Sequence, residues 1–190
     1  TELKINKPSL TFKPEYWDMS QDILVNAVDD DIIDGDIKSK VVMKMTSGDT
    51  NFNNKSKEVE FTTVDNDEAG FEIVSNAASF PENSASTSTL TVALKSQPLK
   101  DVKVNVASSD ATELQVTSAS QITFTTSNWK TPQTVSVKVV DDNIADGQQT
   151  ANVIFTGISD DPNFNGIKGQ SANFTIIDND SASLALTIDP

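Results

Sequence analysis

The stretch TVSVKVVDDNIADG, residues 134–147, joins the two signals that govern how this chain reads. In its first half Val135, Val137 and Val139 alternate with Ser136 and Lys138, the period of a strand with one buried face. In its second half Asp141, Asp142 and Asp146 crowd a turn that closes on Asp-Gly, a dipeptide suited to reversing a chain between strands. Two carboxylates about 4 Å apart repel by roughly 1 kcal/mol in water and about 4 kcal/mol at an effective dielectric near 20, so such a run calls for positive charge nearby.

The stretch has a twin. VDDDIIDGD (28–36) stands over VDDNIADGQ (140–148), LTFKPEYW (10–17) over ITFTTSNW (122–129), and SGDTNFN (47–53) over SDDPNFN (159–165), all at an offset of 112. From residue 10 to residue 53, 17 of 44 aligned positions are identical, which marks a tandem repeat. VDND (64–67) then matches IDND (177–180) at an offset of 113, so the second copy holds one inserted residue between the two matches. TEL at 1–3 matches TEL at 112–114, and a short apolar segment follows each acidic end, FEIVS at 71 and LALTI at 184. The expected organisation is residues 1–67 as the C-terminal part of one module, 68–180 as a complete module, and 181–190 as the first strand of a third. A half-module of this kind exposes sheet edges, which invites strand exchange between molecules.

Apolar residues alternate in period two, with no sustained period of 3.6. Strands are predicted near 71–75, 88–95, 102–107, 113–116, 121–125, 133–140, 149–156 and 170–177. Their number and spacing predict an all-β fold of tandem immunoglobulin-like antiparallel β-sandwich modules of about 110 residues.

Composition narrows the chemistry. The chain has 14 Lys, 28 Asp plus Glu, and no Arg, His or Cys, for a formal charge of −14. Zinc or iron sites of the usual kind and an imidazole base are excluded. So acidic a surface repels nucleic acid and anionic membranes, and no apolar run of about 18 residues is present to insert in a bilayer. No Gly-rich phosphate loop, activated nucleophile or apolar pocket for a neutral carboxyl is legible, so no enzyme is expected. A hard cation held by oxygen atoms is the natural partner.

Comparison of the copies separates candidate ligands from surface charge. Asp18, Asp22, Asp31 and Asp36 become Lys130, Thr134, Asn143 and Gln148, whereas Asp29, Asp30 and Asp34 persist as Asp141, Asp142 and Asp146. The Asp-Asn-Asp runs 65–67 and 178–180 persist whole. Calcium takes about six to eight oxygens, more than one short loop supplies, so both clusters are expected at one pole of the sandwich. A solvated acidic rim is the plain alternative.

With SFPENSASTSTLTVAL (79–94), VASSDATEL (106–114), ITFTTSNW, VDDNIADG and IIDND in view, the complete module resembles the Calx-beta domain of sodium/calcium exchangers and long bacterial surface proteins. The resemblance implies calcium ligands at Glu82, Asp110, Asp141, Asp142, Asp146, Asp178 and Asp180. In the first module it implies Asp29, Asp30, Asp34, Asp65 and Asp67, an incomplete set. It also implies a calcium-binding structural repeat that stiffens and extends a secreted or cell-surface adhesin-like protein, with Ca2+ and adjacent modules as partners. The alternatives are a calcium-shaped recognition module for a glycan or a cell-surface protein, and a calcium sensor acting on an attached domain.

Two further features admit plainer readings. Asp161, Asn163 and Asn165, matched by Asp49, Asn51 and Asn53, have the spacing that opens calcium loops, yet an Asx-stabilised hairpin turn accounts for them. Trp17 and Trp129 could stack on a sugar, but covering the end of a core is the commoner role.

Overall fold

The computed structural model describes residues 2–76, 78–84 and 86–184. The chain packs as two units, Thr1–Asn66 and Asp67–Pro190, and both are built from strands.

The first unit holds β1 (Leu3–Ile5), β2 (Val25–Ala27), β3 (Ile37–Lys44) and β4 (Ser56–Thr63). β1 pairs antiparallel with β2, and β3 with β4 in a long hairpin running from Ile37↔Thr63 to Lys44↔Ser56.

The second unit holds β5 (Phe71–Val74), β6 (Ala78–Pro81), β7 (Thr87–Leu94), β8 (Val102–Ser108), β9 (Leu114–Val116), β10 (Gln121–Phe124), β11 (Gln133–Val139), β12 (Gln149–Ala151), β13 (Val153–Ser159), β14 (Lys168–Gln170) and β15 (Phe174–Ile177). They form two four-stranded antiparallel sheets, β5-β7-β11-β9 and β10-β8-β13-β14, and a small sheet β12-β15-β6. Within that small sheet β15 runs parallel to β6.

Period-two patterning explains the sandwich. Val102, Val104 and Val106 of β8 are buried while Lys103 and Asn105 between them are exposed, and Val135, Val137 and Val139 of β11 are buried in the same way. With Leu90, Val92, Phe124 and Phe155 they make the core. Each such side chain contributes about 1.5–3 kcal/mol when fully buried.

Two predicted strands are each split in two. The expected 149–156 strand breaks at Asn152 into β12 and β13, and the expected 170–177 strand breaks into β14 and β15. The pairs Ile154↔Gln170 and Ala151↔Phe174 correspond to Val42↔Glu58 and Ser39↔Phe61 of the first unit. The offset therefore changes between Gln170 and Phe174, which locates the inserted residue. There the hairpin passes from one sheet to another, and Ser171 replaces the lost ladder bonds. Its N–H donates to the Val153 carbonyl at 2.8 Å, and its Oγ accepts the Val153 N–H at 2.9 Å. This is the way a bulge redirects a strand. The short strand β6 had no period-two signal to announce it. Of the strand expected at 181–190, residues 181–184 have no regular structure and 185–190 lie outside the described residues.

Candidate metal centre

Strand pairing assembles one acidic pole in the second unit. β6 and β15 run parallel and end together at Pro81↔Ile177, so the next residues, Glu82 and Asp178, emerge side by side. Glu82 opens a single 3-10 turn, Glu82–Ser84, and the Asn83 N–H donates to Asn179 Oδ1 at 3.1 Å. β11 meets β9 at Val139↔Leu114, which sets the following acidic loop against the residues before β9. The Val140 N–H donates to the Glu113 carbonyl at 2.9 Å. Four chain segments thus converge.

Carboxylate oxygens of Glu82, Asp142 and Asp180 lie within 4.8 Å of one another. Glu82 is only 3 % exposed, while Asp142 and Asp180 are half-buried. Glu82 Oε1 accepts the Asp142 N–H at 3.0 Å, and Asp142 Oδ1 accepts the Ile144 N–H at 2.7 Å. Asp180 Oδ2 is buried without a hydrogen-bond partner. Burial first, and then the charges of Asp178, Asp141, Asp142 and Asp146, push the Asp180 carboxyl above the usual aspartate range.

The pole includes an acid that sequence reasoning passed over. Glu113 is buried, and desolvation, reinforced by Asp146, Glu82, Asp110 and Asp142, raises its carboxyl above the glutamate range. The charges that raise Glu113 and Asp180 all come from neighbouring carboxylates. The signal that could have found Glu113 was the repeated Thr-Glu-Leu at 1–3 and 112–114, which places Glu2 at the same point of the first copy.

The remaining predicted ligands divide by what their oxygens already do. Asp178 accepts the Gly147 N–H through Oδ2 at 2.7 Å and the Asp180 N–H through Oδ1 at 2.6 Å. These backbone donors hold its carboxyl below the aspartate range and make it the brace of the loop. Asp110 accepts the Thr112 hydroxyl and N–H at 2.5 and 3.0 Å through one oxygen, and its carboxyl is likewise lowered. Asp141 and Asp146 are exposed on the loop, outside the group of three.

The first unit repeats the loop scaffold. Asp65 Oδ2 accepts the N–H groups of Asp34 and Gly35 at 3.0 and 2.7 Å, and Asp30 Oδ1 accepts the Ile32 N–H at 2.9 Å. Gly35 and Gly147 have φ of 78° and 80°, the left-handed region that glycine enters at least cost. Asp29, Asp30 and Asp34 are exposed, and Asp67 falls in the second unit. Among the described residues, no three acids of Thr1–Asn66 converge as Glu82, Asp142 and Asp180 do.

The second acidic motif is a turn. Asp161 is buried, its Oδ1 accepts the Asn163 N–H at 3.0 Å, and its Oδ2 accepts the Leu99 N–H at 2.7 Å. Asp49 makes the corresponding bond to the Asn51 N–H at 2.9 Å. Trp129 is buried at the end of the core, with the Lys130 ammonium 5.1 Å from its ring centroid.

The donor set at the pole is all oxygen and anionic, with one buried oxygen lacking a partner. Such a group of carboxylates could hold a metal ion. No family model matches the chain, and no curated protein matches it. Among solved structures, domains 4 and 5 of the S-layer protein SbsC align over 94 % of this chain and 98 % of that chain, at 14 % identity and a TM-score of 0.31.

Proposed function

We propose that this chain is a calcium-binding structural repeat of the Calx-beta kind, built from immunoglobulin-like modules, that stiffens and extends a secreted or cell-surface adhesin-like protein. The observation that carries the reading is the convergence of Glu82, Asp142 and Asp180 within 4.8 Å, from three separated segments of chain. Such a site is repulsive when empty and cohesive when a divalent cation fills it.

In this reading Glu82, Asp142 and Asp180 are ligands, Glu113 adds charge from below, and exposed Asp141 and Asp146 complete the oxygen shell. Asp178 braces the loop, because both its oxygens already accept backbone N–H groups. The ion ties the turn after β6 to the loop after β11 and to the acidic run after β15, so it restrains the segment that leads onward from the module. Adjacent modules are then held stiffly wherever calcium is abundant. The reading assigns no catalysis to the pole. Of the two tryptophans open to the alternative of a recognition module, Trp129 is buried and Trp17 is exposed, so only Trp17 could serve it.

Calorimetric titration tests this. Calcium is expected to bind with a Kd of order 10⁻⁴–10⁻³ M, as in extracellular modules. Glu82→Gln is expected to abolish that heat, while Asp161→Asn leaves it intact. Unchanged calcium binding in Glu82→Gln would remove the proposed site.

A further inference from the structure

The first unit presents as surface what the second unit uses as core. At the offset of 112, Phe12, Trp17 and Phe52 are 52 %, 70 % and 53 % exposed, whereas Phe124, Trp129 and Phe164 are 0 %, 7 % and 1 % exposed. Isolated exposed apolar residues need no explanation, but a set that maps position by position onto a buried core does.

The strand ladders say what is missing from that face. The pairing of β1 with β2, from Leu3↔Ala27 to Ile5↔Val25, reproduces the pairing of β9 with β11, from Leu114↔Val139 to Val116↔Val137. β11 also pairs along its other edge with β7, and β13 pairs along its other edge with β8. In the first unit, the described ladders of β2 and β3 are with β1 and β4 alone. In the second unit the strands at the corresponding edges, β7 and β8, carry the buried Leu90, Val92, Val102, Val104 and Val106. β8 matters most, because in the second unit it joins β10, which carries Phe124, to β13, which carries Phe155.

We infer that the open edges of β2 and β3, with the apolar face around Phe12, Trp17 and Phe52, form a docking surface for a polypeptide segment with the alternating chemistry of residues 71–108. Strand addition supplies backbone hydrogen bonds, and the valines of a β8-like strand cover the aromatic face. The repeat favours this occupant over an unrelated apolar partner, because the positions that match Phe12, Trp17 and Phe52 are buried in the second unit, whose core includes Leu90 and Val92 of β7 and Val102, Val104 and Val106 of β8. The inference rests on the repeat and on the exposure of named residues, and is independent of whether calcium binds.

The test compares the 190-residue chain with the same chain carrying an added copy of residues 68–111 directly before Thr1. Acrylamide quenching of Trp17 is read in a Trp129→Phe background, and amide hydrogen exchange of β2 and β3 is read without any substitution. The added segment is expected to remove most of the quenching, shift Trp17 emission to the blue, and slow exchange in β2 and β3. An added copy carrying Val102→Ser, Val104→Ser and Val106→Ser is expected to protect neither. Equal quenching and equal exchange with and without the segment would overturn the inference. So would concentration-dependent protection of Trp17 in the unextended chain, which would make the occupant a second copy of the molecule.

Discussion

Calcium should raise the melting temperature of the second unit by about 5–10 °C, a size set by the affinity of the proposed site and the length of the unit. Buried Glu82 and Glu113 lie among other acids, and the neighbouring carboxylates disfavour the ionised forms of Glu113 and Asp180, so the metal-free pole opposes folding. An ion that binds only the folded state adds about 1.4 kcal/mol at 10 times its dissociation constant and about 2.7 kcal/mol at 100 times. A unit of about 120 residues unfolds with roughly 0.25 kcal/mol per kelvin, which converts that stabilisation to about 5–10 °C. The assay is a thermal melt from chelator to about 10 mM calcium, a range that covers the affinity of extracellular sites. Asp142→Asn is the informative variant. Its amide oxygen can still accept the Ile144 N–H that Asp142 Oδ1 accepts at 2.7 Å, so the loop keeps its brace while the site loses a charge. The variant should start at or above the chelated wild-type midpoint and lose most of the calcium shift. No shift in the wild type, or an equal shift in Asp142→Asn, would refute the reasoning.

Two further outcomes follow from the same geometry. In chelator, Glu113 and Asp180 bind their protons more tightly when folded, so their stability contribution falls as pH rises above the ordinary glutamate and aspartate values of about 4.3 and about 3.9. Asp110 and Asp178 are shifted the other way, and their contribution is lost as pH falls below about 3.9. Melts across pH should therefore place the metal-free optimum near pH 4, moving toward neutrality with calcium; a neutral optimum in chelator would contradict the assignment. Asp161→Ala strands the Leu99 and Asn163 N–H groups of a buried turn, at a cost of about 1–3 kcal/mol for a lost buried partner. Denaturant melts should show that loss equally with and without calcium, whereas a calcium-dependent loss would make the turn a metal site.

Much of the molecule was readable from local pattern. Val135, Val137 and Val139 announced a strand because side chains alternate across a pleat, and the burial of these residues follows that alternation. The matched positions of Asp30 with Asp142, Gly35 with Gly147 and Asp65 with Asp178 announced a loop made twice. The Asx bonds of Asp30 and Asp142 and the left-handed glycines recur because they are settled within a few residues, whereas the bonds from Gly35 to Asp65 and from Gly147 to Asp178 recur across a whole hairpin. Glu113 was hidden for the opposite reason. It stands beside buried Leu114, and neighbouring residues of a regular strand would face opposite sides. Its burial arises at a strand end, where the loop after β11 closes over it.

The sequence by itself determined the strand class, the repeat, the anionic all-oxygen chemistry and most members of the candidate ligand set. Only the tertiary structure decided which acids meet. Glu82 reaches Asp180 because β6 lies parallel to β15, a pairing between segments almost a hundred residues apart that no local pattern encodes. The tertiary structure also set a backbone N–H against each carboxylate oxygen of Asp178 and of Asp161. Residue type sets what an oxygen can bind; the backbone donors packed around it decide whether it is still available.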